Sequence, residues 1–175
     1  QKWNLGSEGS MQSGGFLMVA PDIGTFNVFV SVASSATFQA GAVGLSGLDQ
    51  TTPNRTPATA DAQVGGPSVA ATSVSGDLVI DAAMNRQTTI AVGASQTSVI
   101  ETDNVAGSNW SWGISTETAT GVSTTMSWTA GDSNVIGAMA LIAASAGGAA
   151  VQPFLMPADL SGIGSPASPF KDRLQ

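Results

Sequence analysis

The sequence predicts an all-β protein: an antiparallel β-sandwich, jelly-roll-like, with an extended C-terminal arm. Three observations carry this. Short runs of β-branched and aromatic residues alternate with period two. Gly, Pro, Ser, Asn and Asp break the runs at spacings of roughly ten residues. Nowhere does an apolar i, i+3, i+4, i+7 pattern persist with an N-cap and a charged outer face, so helix is disfavoured.

Taken in order, about nine strands are expected by the alternation rule. GFLMVA (Gly15–Ala20) comes first. TFNVFVSV (Thr25–Val32) follows, with Phe26, Val28, Val30 and Val32 on one face of an extended chain. TFQAGAVGLSG (Thr37–Gly47), a weaker run at Ser68–Val74 and DLVIDAAM (Asp77–Met84) are next. A second weak run spans Gln96–Ile100, and WSWGIST covers Trp110–Thr116. VSTTMSW (Val122–Trp128) again alternates, with Val122, Thr124, Met126 and Trp128 on one face. VIGAMALIA (Val135–Ala143) is rich enough in alanine to be helical, but Val135, Ile136 and Ile142 are β-branched and favour a strand buried on two sides. The expected core is Phe26, Val28, Val30, Leu45, Leu78, Ile80, Met126, Trp128, Met139 and Leu141.

Two stretches do not read as core. Asp49–Pro67 contains three of the eight prolines and few large apolar residues, so it is expected to be a long surface loop. The sandwich domain is assigned to 1–146, and 147–175 to a Pro-rich arm. Residues 151–175 are expected to run extended without regular structure, because proline interrupts both helix and central strand. Phe154, Leu155, Met156, Leu160, Ile163 and Phe170 would be an aggregation liability on a free monomer, and they form the expected subunit interface. The opening QKWNLGSEGS has neither the basic n-region nor the apolar h-region of a signal peptide, which suggests a mature, processed or partial chain.

Composition narrows the chemistry. The 175 residues are only 10% charged, with 12 acids against 5 bases and a net charge of -7. That removes the basic footprint of a nucleic-acid binder, and no apolar run is long enough for membrane insertion. Histidine, cysteine and tyrosine are absent, which excludes Ser-His-Asp and Cys-His nucleophile systems, Cys/His zinc sites and disulfides. No catalytic residue, cofactor or metal is assigned. The acids Glu101 and Asp103 lie close in sequence, and Asp77 and Asp81 share one side of a strand, but turn and strand hydrogen bonding explain them better than a carboxylate pair or half a calcium site. Trp110 and Trp112, at i, i+2, are the candidate ligand platform; as large indoles they are more readily read as core or interface.

Several separated motifs carry a resemblance. GLSGLDQTTP (Gly44–Pro53) resembles the G-S-x-S-G-V-D-Q-T-T-P signature of jelly-roll, concanavalin-like β-sandwich domains found in phage virion proteins and bacterial surface proteins. MVAPDIGTFNVFVSV before it, SVSGDLVIDAAM after it, GASQT (Gly93–Thr97) and GVSTTMSWTAGDSNVIGAMALIAA (Gly121–Ala144) match further elements in the same order. The resemblance covers roughly Gly9–Ala144. Domains of that family begin with more strands before the segment matching GFLMVA. The sandwich is therefore expected to be completed by cleaved residues, by a missing segment or by a neighbouring subunit.

Together these observations lead to the expectation of a non-enzymatic structural protein of a virion surface, a phage capsid decoration or related particle protein. It would contact other copies of itself or a major capsid or particle protein, and its location would be virion or extracellular. The alternative is a secreted bacterial adhesin or carbohydrate-binding module, for which the tryptophan pair and low pI speak.

Overall fold

A computed structural model describes residues 2–8, 11–19, 27–30, 39–62, 64–86, 89–103, 109–131, 133–144 and 150–154. Among these residues the fold is all-β, with no helix and only antiparallel pairings. The strands are β1 (Lys2–Glu8), β2 (Met11–Phe16), β3 (Ala42–Ser46), β4 (Ala58–Ala62), β5 (Ser68–Thr72) and β6 (Leu78–Asn85). They continue with β7 (Ala91–Val92), β8 (Thr97–Thr102), β9 (Ser111–Thr118), β10 (Ser123–Thr129), β11 (Asn134–Leu141) and β12 (Ala150–Phe154).

Two sheets pack face to face. The larger has the order β4-β11-β6-β9-β8, and the smaller β5-β10-β7. Period-two alternation explains the interface between them: β10 sends Thr124, Met126 and Trp128 inward while Ser123, Thr125 and Thr129 face out, and β5 sends Val69 and Ala71 inward. They meet Val79 and Ala83 of β6 and Ile136, Ala138 and Ala140 of β11. The alanines on β11 let the sheets close around the bulk of Met126 and Trp128. All eight residues of β11 are buried, because its opposite face packs as well: Met139 and Leu141 join Leu78 and Leu48, with Leu17, Leu45 and Ile80 half-buried around them. Ridges of hydrophobic side chains on both faces of one strand account for its non-alternating sequence. β3 and β12 form one two-stranded ribbon, β1 and β2 another.

Several expectations need correction. TFNVFVSV is not a core strand where it is described: Asn27–Val30 pair with no sheet, and Val28 and Val30 are 60% and 47% exposed. Strand periodicity makes a segment competent to pair, but a partner edge decides whether it does. Phe26 lies outside the described residues. Leu45 and Ile80 are half-buried rather than core, while Leu78, Met126, Trp128, Met139 and Leu141 are buried as expected. Asp49–Pro67 is not all loop. Its middle forms β4, which pairs with β11 and packs Ala58 and Ala60 against the core, and Asn54 bridges to Leu141. Strand β1 precedes the segment expected to be first, and that strand itself runs Met11–Phe16 rather than Gly15–Ala20. The beginning of the arm is also regular: β12 pairs antiparallel with β3, Val151 opposite Leu45 and Phe154 opposite Ala42. Pro153 sits there without a donor N–H, as an edge position permits.

Candidate functional site

The most chemically loaded place in the protein lies between the sheets. Asp81 is on the inward face of β6 with Val79 and Ala83, a position where hydrocarbon is expected, and it is 2% exposed. Its neighbours explain how a carboxylate survives there. Register places Asp81 opposite Ser115 of β9, whose backbone N–H donates to Asp81 Oδ1 at 2.9 Å and whose hydroxyl donates to the same oxygen at 2.7 Å. On the other oxygen, Oδ2, Trp128 Nε1 donates at 2.8 Å from the opposite sheet and Gln96 Nε2 at 3.3 Å from the turn between β7 and β8. Four donors thus converge on one side chain that is acceptor-only when ionised. Burial nevertheless pushes the carboxyl up to about 6, against the pull of Ser115, Trp128 and Gln96.

Gln96 is the second hub. Its Oε1 accepts from the Ser127 backbone N–H at 2.8 Å, and its Nε2 donates to Ser115 Oγ at 2.6 Å. The oxygen facing Ser127 fixes the orientation of the amide and turns the nitrogen toward Ser115 and Asp81. Two glycines make room. A Cβ on Gly93 would overlap Ser127 and Gln96 Oε1, and one on Gly113 would overlap the Trp128 ring. Side chains at either position would push these groups apart.

A separate ion pair guards the start of β6. Arg55 Nε lies 2.5 Å from Asp77 Oδ2, with Nη2 at 3.3 Å from Oδ1, and the Val74 N–H also donates to Asp77 Oδ2 at 2.7 Å. Asp77 hydrogen bonding holds the Arg55 guanidinium still higher than its ordinary value. Asp77 and Asp81, read as sharing a strand side, are therefore bound to different partners. Among the described residues no group of three or more His, Cys, Asp or Glu side chains is placed to hold a metal ion. No helix among them is long and apolar enough to cross a membrane.

The tryptophan platform is only partly open. Trp112 is half-buried on β9, its ring so close to Gly41 that a Cβ there would overlap it, and its Nε1 is buried without a partner among the described residues. Trp110, also half-buried, precedes β9. Of the expected interface residues, Phe154 ends β12, where its backbone faces Ala42; Leu155, Met156, Leu160, Ile163 and Phe170 lie outside the described residues.

Residues quoted for the family resemblance take structural positions. Asp49 Oδ1 accepts from the N–H groups of Thr51 and Thr52, both at 2.8 Å, and these bonds, Thr52 first, hold its carboxyl below the ordinary range. The Asp49 N–H donates to Ile142 O at 2.9 Å, so D-Q-T-T-P is a turn anchored beside the end of β11. Asp81, Gln96, Ser127 and Trp128 come from three other motif fragments and meet in one cluster. Sequence reading missed that convergence. A strand-interior aspartate flanked by Ile80 and Ala82, and a buried indole that needs an acceptor, were the available signals.

The fold and the cluster define the class: an all-β sandwich whose two sheets are tied by a buried polar centre. Comparison with protein-family models, with curated proteins and with solved structures finds no match to this chain.

Proposed function

We propose that this protein is a non-enzymatic structural component of a virion surface, a phage capsid decoration or related particle protein, working through contacts with copies of itself or with a particle protein. The observation that carries the reading is apolar surface on the single chain: Phe29 is 88% exposed, and Phe16, Met18 and Val28 are also exposed. Side chains of this size in water favour burial against a partner. The apolar composition of the arm, the low charge and the resemblance of the motifs to virion and bacterial surface domains support the same reading.

The test is assembly. Because β12 belongs to a sheet with β3, the informative deletion removes 155–175 and leaves 150–154 in place. The expected result is a folded chain by far-ultraviolet circular dichroism that has lost self-association in native mass spectrometry and co-sedimentation with particles. Normal assembly of the truncated chain would remove the arm from the interface, and a strictly monomeric full chain that sediments with no particle would end the reading.

A further inference from the structure

The cluster between the sheets holds a hydroxyl, a carboxylate and a carboxamide in mutual hydrogen-bond contact, with the hydroxyl and carboxylate shut away from water. That is the constellation of an acyl transfer: a nucleophile bonded to a base, and an acyl group whose oxygen faces an N–H donor. We propose that Ser115 Oγ attacks the Gln96 side-chain carbonyl to form an intramolecular ester, with Asp81 as general base and the Ser127 N–H as the oxyanion donor.

Each part has its geometry. Ser115 Oγ donates to Asp81 Oδ1 at 2.7 Å, within the reach required for proton abstraction. The hydroxyl oxygen touches the carboxamide, 2.6 Å from Nε2, so nucleophile and acyl group are already neighbours. Ser127 N–H donates to Oε1 at 2.8 Å, where negative charge develops during attack. Asp81 takes the proton on Oδ1 and faces the leaving nitrogen with Oδ2, 3.3 Å from Nε2, so one carboxyl group contacts both ends of the proton transfer. Trp128 Nε1 holds Oδ2 in place. A carboxyl titrating at about 6 is suited to taking a proton and returning it near neutrality.

The step balances. Asp81 removes the hydroxyl proton; the Ser115 Oγ–Gln96 Cδ bond forms; the carbonyl electron pair moves to Oε1. On collapse the Cδ–Nε2 bond breaks, Asp81 returns the proton to nitrogen, and ammonia leaves. Protonation and dilution of ammonia in bulk water draw the reaction forward, and exclusion of water from Ser115 protects the ester from hydrolysis. The product ties β9 covalently to the turn that enters β8, a reaction the chain performs once on itself.

The test reads a covalent bond and is independent of whether the protein assembles on a virion. Folded native chain is denatured and cut after glutamate at mildly acidic pH. Glu8, Glu101 and Glu117 place Gln96 in peptide 9–101 and Ser115 in peptide 102–117, and Gln1, which can lose ammonia by cyclising, falls in a third. The expected product is 9–101 joined to 102–117, lighter than their sum by one ammonia, and separated by hydroxylamine with a hydroxamate at position 96. Ser115→Ala should yield two free peptides. Asp81→Asn, if folded by circular dichroism, should do the same; a folded Asp81→Asn chain that is still linked would overturn the role of the base. Free peptides at their sequence masses from the wild-type chain would overturn the proposal outright, whatever the variants do.

Discussion

The indole nitrogen of Trp128 on the smaller sheet donates to Asp81 Oδ2 on the larger one at 2.8 Å, so a buried hydrogen bond crosses the sandwich where only apolar contact was required. Non-directional packing allows sheets to slide by a residue, whereas a bond between one indole and one carboxylate permits a single alignment. The same pair joins a core-filling ring to the polar cluster, which separates two contributions that mutation can distinguish.

Trp128→Phe keeps most of the ring and removes the donor. It should cost about 1–3 kcal/mol, the range for leaving a buried polar partner short of one bond. Trp128→Ala also opens a cavity, and about 3–5 kcal/mol is expected. Urea unfolding of the two variants would measure the difference, and a negligible loss in Trp128→Phe would mean that the hydrogen bond contributes nothing.

Stability should depend on pH through Asp81. Its folded pKa, about 6, lies above the ordinary 3.8, so the native state binds the proton more tightly than the unfolded chain. The contribution of this group is therefore greatest below the unfolded value and is lost as pH rises from about 4 to about 6. At about 1.4 kcal/mol per pKa unit, the change approaches about 3 kcal/mol. The stability difference between wild type and Asp81→Asn, followed by urea unfolding at several pH values, should shift by that order against the wild type across this window. Ester formation would consume two of the bonds that oppose the rise, from Ser115 Oγ and Gln96 Nε2, and so leaves the sign unchanged. A pH-independent difference would refute the assignment.

Arg55→Ala should destabilise the fold, because Asp77 would keep its buried carboxylate with only the Val74 N–H as a side-chain partner. Arg55→Lys should recover part of this, since an ammonium supplies charge but not two forked donors. Thermal unfolding ranks the three proteins, and a rank with lysine below alanine would contradict the forked geometry.

Gly113→Ala places a methyl group into the Trp128 ring. Overpacking of this kind costs about 1–3 kcal/mol. Near-ultraviolet circular dichroism should report the displaced indole, while the far-ultraviolet spectrum remains that of a β protein. An unchanged near-ultraviolet spectrum would place the ring elsewhere.

Local chemistry in the sequence determined the class of the fold. Alternation in VSTTMSW, turn residues around each run and the β-branched Val135, Ile136 and Ile142 are properties of neighbouring residues, and strands β10 and β11 lie there with Met126, Trp128, Met139 and Leu141 buried. Tertiary structure decided which competent segments find an edge. Asn27–Val30 has strong strand chemistry and remains exposed, while the plainer Ala58–Ala62 pairs with β11 and packs Ala58 and Ala60 against the core. It alone also assembled Asp81, Gln96, Ser115, Ser127 and Trp128 from three strands and a turn, since hydrogen bonds between residues as much as 47 positions apart leave no periodic trace in a chain.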